Sequence, residues 1–121
     1  MSVARALIVC TTCRRGAGAV FAEQVASAAR ASGATFEVRT QECLWACAHG
    51  CSVLMQDPER YSYVAGGFRP DDPTGAEAVI AFFQAHGATP DGEVPFSHWP
   101  KAILGKFLCR IPPADRRPAK P

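Results

Sequence analysis

Apolar positions run together at Ala4–Val9 (A-R-A-L-I-V), widen to a helical period over Ala19–Ala31, and alternate with polar ones at Phe36–Thr40 (F-E-V-R-T). The first run is short and ends at Cys10, which predicts a buried strand. In the second, Val20, Phe21, Val25 and Ala28 form one face of an alanine-rich helix, and Gly33 supplies its stop. The period-two alternation of the third predicts a half-buried strand. Strand, helix and strand in this order imply two parallel strands joined by a right-handed crossover.

Ser52–Gln56, a turn at Asp57-Pro58, and Tyr61–Val64 ahead of Gly66-Gly67 read as an antiparallel hairpin. Asp72 is placed to cap a helix with Pro73 at its first position. That helix carries Val79, Ile80, Phe82 and Phe83 between Ala76 and Ala85, and Gly87 closes it. His86, at its C-terminal end, is expected to interact with the helix dipole. Trp99–Leu108 has the spacing of a short helix with Trp99, Ile103, Leu104 and Phe107 on its apolar face. The order predicts a thioredoxin-like α/β fold, a small mixed sheet (β-α-β-β-β-α) with helices packed on it. One domain would cover residues 1–109, and a basic, proline-rich tail residues 110–121.

The chain has 121 residues and a formal net charge of +2, too small to argue for nucleic acid or a membrane surface. No stretch has the length of a membrane span, and no secretory leader is visible. A cytoplasmic location follows as the expectation, where thiols stay reduced. That matters because the chain holds 6 cysteines.

Five of them lie in two knots, C-T-T-C at Cys10–Cys13 and C-L-W-A-C-A-H-G-C at Cys43–Cys51. Cys10 and Cys13 follow the first strand; Cys43 and Cys47 follow the second. Parallel strands bring those ends to one edge of the sheet, so four thiolates can converge there. Soft all-sulfur sites take zinc or an iron–sulfur cluster, and spacing does not separate the two. Cys51 is a fifth candidate, so that any four of Cys10, Cys13, Cys43, Cys47 and Cys51 could ligate. His49 is a donor nearby or simply exposed. Arg14 and Arg15 would offset the negative charge of such a site, and Trp45 would shield it or form a docking patch. Cys109 reads as a packing cysteine. C-T-T-C after a first strand also resembles a thiol–disulfide C-x-x-C. Against an oxidoreductase using Cys10 and Cys13, Cys51 stands where thioredoxins carry a proline. No phosphate-binding or hydrolytic motif is present.

Together V-C-T-T-C-R, E-C-L-W-A-C-A-H-G-C-S-V, Y-S-Y-V-A-G-G and R-I-P-P resemble a domain-of-unknown-function family of predicted cysteine-rich metal-binding proteins. The segment Cys43–Tyr63 is similar to thioredoxin-like [2Fe-2S] ferredoxins, in which a C-L-x-x-C loop precedes a β-hairpin. This similarity implies ligand roles for Cys43 and Cys47, then for Cys10 and Cys13, and with them a redox partner protein and a homodimer. Closer spacing of Cys10 and Cys13, and Cys51 in place of a proline, depart from that pattern. The resemblance to the uncharacterised family implies a link to cobalamin biosynthesis, hence the alternative of a zinc or cobalt carrier. The leading expectation is a [2Fe-2S] electron carrier with no substrate of its own, not an enzyme.

Overall fold

The computed structural model describes residues 5–45 and 49–113, the side chains of Cys13 and Arg14 excepted. Its elements are β1 (Ala6–Cys10), α1 (Ala17–Ala31), β2 (Glu37–Gln41), β3 (Val53–Gln56), β4 (Ser62–Ala65), α2 (Pro73–Gly87) and β5 (Phe107–Ile111). The strands form one sheet in the order β2-β1-β3-β4-β5. β1 and β2 run parallel, and the other neighbours are antiparallel. This is a thioredoxin-like mixed α/β arrangement.

Alternation decides the core. Leu7, Val9, Val53, Met55, Tyr63 and Ala65 turn to the helix-covered face and pack with Phe21, Val25, Val79, Phe82 and Phe83. Each Leu, Val, Met or Phe among them contributes about 1.5–3 kcal/mol through burial. α1 and α2 pack on each other over that face. The intervening Ile8, Leu54 and Val64 are only half-buried on the opposite face. Asp72 caps α2 as expected, its Oδ1 accepting from the Thr74 N–H at 3.1 Å. Gly33 follows α1 in the left-handed region, at φ +67°.

Two expectations about the C-terminal stretch are corrected. Trp99–Leu108 is not a helix: a short 3-10 turn at Lys101–Ile103 leads into β5. Gly105, at φ +76°, breaks the helical path, and β4 offers an open edge to which Phe107–Ile111 pair. The apolar spacing survives as packing instead, with Phe107 and Trp99 4.8 and 5.9 Å from the Phe82 ring. β5 also crosses the anticipated boundary at residue 110, while residues 114–121 of the anticipated tail lie outside the described residues. Cys109, on this edge strand, is exposed rather than packed.

His86, at the C-terminal end of α2, is an interior residue. It is fully buried, 2.8 Å from an Arg5 guanidinium nitrogen at Nδ1 and 2.6 Å from the Tyr61 carbonyl at Nε2. Because Arg only donates, Nδ1 must accept and Nε2 must carry the hydrogen, which is the neutral tautomer. Burial pushes its pKa down, and the Arg5 and Arg60 charges add to that, against the Tyr61 hydrogen bond and the Asp57 charge. Beside it, the side chain of Asp57 is wholly buried and pairs with Arg5 at 2.7 Å and Arg60 at 3.2 Å. Burial alone would raise the Asp57 pKa, but the Glu59 N–H and both guanidinium groups outweigh it and hold it low.

Candidate thiolate site

The site begins where β1 and β2 end. Their register pairs Cys10 with Gln41, and the pairing continues past both strands. Thr11 N–H donates to the Gln41 carbonyl at 2.9 Å and Thr12 N–H to that of Glu42 at 3.3 Å. The Thr12 hydroxyl donates to the same Glu42 oxygen, and the Cys10 thiol reaches it at 3.6 Å. Cys10, only 1% exposed, therefore lies against the residue immediately before Cys43. On its other side the Cys10 N–H bonds the Ser52 carbonyl at 3.1 Å, at the approach to β3.

A 3-10 turn, Cys13–Gly16, carries the chain from this loop into α1. Arg15 and Gly16 adopt left-handed backbone there, at φ 56° and 96°. Gly18 then sits directly over the strand end: a Cβ at this position would fall 2.2 Å from the Cys10 carbonyl oxygen. Only glycine allows that approach. It brings the N-terminal end of α1, with its partial positive charge, against the cysteine loop.

The second loop is held from the other direction. Cys43 is exposed, and its Sγ accepts from the Trp45 N–H at 3.3 Å. Trp45 has φ 62° and is 92% exposed. The exposed His49 returns the loop to the sheet, its carbonyl accepting from Gly67 N–H at 2.7 Å. Gly66 permits this contact, since a Cβ there would lie 2.2 Å from the same oxygen. Cys51 exchanges backbone hydrogen bonds with Phe68, at 3.1 and 3.3 Å, and is a fully buried member of the apolar core.

Of the expected ligands, Cys10 and Cys43 are thus brought to one end of the sheet. Cys13 begins the adjoining turn, its side chain not among those described, and Cys47 lies outside the described residues. Among the described residues no three His, Cys, Asp or Glu side chains form a group able to hold a metal ion, so Cys51 does not complete a trio with Cys10 and Cys43. Cys109 is separated from β1 by β3 and β4. Sequence reading gave no role at this site to Gly18, Gly66 or Lys106. Lys106 joins this end through its Nζ, 2.9 Å from the Gly67 carbonyl, and over the Phe68 ring. The two glycines had a signal, each lying in a small-residue cluster next to a chain reversal.

Fold and site together define a thioredoxin-like α/β protein whose two cysteine-bearing loops meet at the C-terminal ends of its parallel strand pair. Residues 7–113 match the family described as a protein of unknown function, DUF1636, and the chain belongs to that family. No curated protein and no solved structure matches it. No helix among the described residues is long and apolar enough to cross a membrane.

Proposed function

We propose that the protein is a [2Fe-2S] electron carrier ligated by Cys10, Cys13, Cys43 and Cys47. The observation that carries this reading is the in-register continuation of β1 and β2, which sets the Cys10 thiol against the residue preceding Cys43. Two loops rooted in adjacent parallel strands supply two thiolates each, the donor set that such a cluster takes. When bound, the cluster accepts and returns a single electron. The chain's own part is to hold the thiolates and balance their charge. The N-terminal end of α1 and the exposed Arg15 offset the charge of four bound thiolates, and the Trp45 N–H donates to Cys43 Sγ. Cys51, enclosed in the apolar core, serves packing in this reading and not ligation.

The deciding experiment is a visible spectrum with iron, sulfide and zinc analysis on protein purified without oxygen. Broad absorption bleached by dithionite, with iron and sulfide in equal amounts, supports the reading. A colourless protein with zinc, or with no iron uptake on reconstitution, would sink it in favour of zinc or cobalt carriage, or of thiol–disulfide exchange at Cys10 and Cys13.

A further inference from the structure

Trp45 stands out at the thiol end because folding alone gives no reason for it. Its side chain is 92% exposed, so its ring gains almost no burial. Its backbone, at φ 62°, occupies a region that side-chain-bearing residues rarely adopt. The backbone role, donating to Cys43 Sγ, needs only an N–H, which glycine would supply without strain. A bulky indole kept at a left-handed position and pointed into water indicates use by something outside the chain.

It has company. Val20, in the first turn of α1, is 54% exposed, and that turn is seated on the Cys10 carbonyl by Gly18. The turn that carries Val20 therefore lies at the same end of the sheet as the cysteine loops. Charge there leans positive. Arg15 is exposed and Lys106 is partly exposed, against the exposed Glu42; Asp71 and Asp72, further along, are engaged by Arg69 and by the α2 cap.

We propose that Trp45 anchors a docking surface at the thiol end of the sheet, the end to which Val20 and Arg15 also belong, for a protein partner that presents an apolar recess edged by Asp and Glu side chains. The proposal builds on the electron-carrier reading: this partner exchanges electrons with the thiolate site, and docking on Trp45 seats it directly beside Cys43. An acidic rim selects the partner through Arg15 and speeds encounter, while the indole supplies the buried contact.

The test is site-specific photocrosslinking in the native cell, with benzoylphenylalanine replacing Trp45 or Val20 in the full chain, and replacing Phe96, another exposed aromatic, as control. One protein captured from positions 45 and 20 but not 96, and lost when Arg15→Glu is added, supports the proposal. That protein, once purified, should bind the native chain at least tenfold more tightly than the W45A and R15E variants, with an affinity that falls as salt rises. Capture of a second copy of this chain, capture of lipid, equal capture from position 96, or no adduct at all would overturn it. Iron and zinc analysis of the same preparations reports on the thiolate site separately, so a colourless protein that still docks through Trp45 refutes the electron-carrier reading and leaves the surface standing.

Discussion

Replacing Gly18 with alanine tests how the first cysteine loop is held. The new Cβ would meet the Cys10 carbonyl oxygen at 2.2 Å and the carbonyl carbons of Cys10 and Thr11 at 3.1 Å, where ordinary contact begins at 3.4 Å. All three atoms are backbone, in a loop tied to β2 and to Ser52, so relief requires moving α1 by roughly the missing ångström. Overpacking of this kind costs about 1–3 kcal/mol. Alanine returns at most about 1 kcal/mol of helix propensity. The net expectation is a loss of roughly 1–2 kcal/mol, or a fall of about 4–8 °C in Tm, read by circular dichroism. Because the displaced atoms belong to Cys10 and Thr11, iron content per chain should fall as well. Gly16→Ala is the comparison: no atom lies within 4 Å of its Cβ, but φ is +96°, so it should lose about 1–2 kcal/mol through backbone strain alone. A Gly18→Ala protein as stable as the parent, with full iron content, would refute the close-approach argument.

Other consequences follow from the buried polar cluster and the cysteines. Asp57→Asn leaves Arg5 and Arg60 without their shared carboxylate, and should cost about 3 kcal/mol in urea unfolding; a loss under 1 kcal/mol would show that the cluster is unimportant to stability. His86 is held neutral in the fold but titrates near its ordinary value of about 6.5 when unfolded. As pH drops below 6.5 the unfolded chain takes up a proton that the folded chain refuses, so stability should decline by up to about 1.4 kcal/mol per pH unit. Stability above pH 7 is unaffected, His86→Gln should flatten the slope, and an unchanged slope in that variant would exclude His86 as its source. Cys51→Ser places a hydroxyl in the apolar core and should lower stability by about 1–3 kcal/mol while retaining iron. Cys43→Ser should do the reverse, losing iron while the iron-free chain stays within about 0.5 kcal/mol of the iron-free parent; iron loss from Cys51→Ser alone would reassign the ligands.

Much of the architecture was legible because local rules and tertiary packing agree. The strand ending at Cys10, the α1 face of Phe21 and Val25, the hairpin after residue 51 and the Asp72–Pro73 helix start all carry their own signals. Reading went astray where a residue answered to a distant partner. Trp99, Ile103 and Phe107 have helical spacing, yet Gly105 and the open edge of β4 turned that stretch into a 3-10 turn and a strand. Asp57 reads as an ordinary turn residue and His86 as a helix-end residue facing the dipole, since nothing local announces that Arg5 will lie between them.

The sequence by itself determined the βαβ start and the hairpin, and through them the parallel strand pair whose ends place Cys10 and Cys43 at one end of the sheet. Periodicity and turn chemistry are short-range properties, written in neighbouring residues. Only the tertiary structure decided that Cys51 packs in the core, that Cys109 lies on an exposed edge strand, and that Trp45 is presented to solvent. Those outcomes depend on close approaches across the sheet, at Gly18 and Gly66, and on which strand edge remained free, and both are set by segments far apart in the chain.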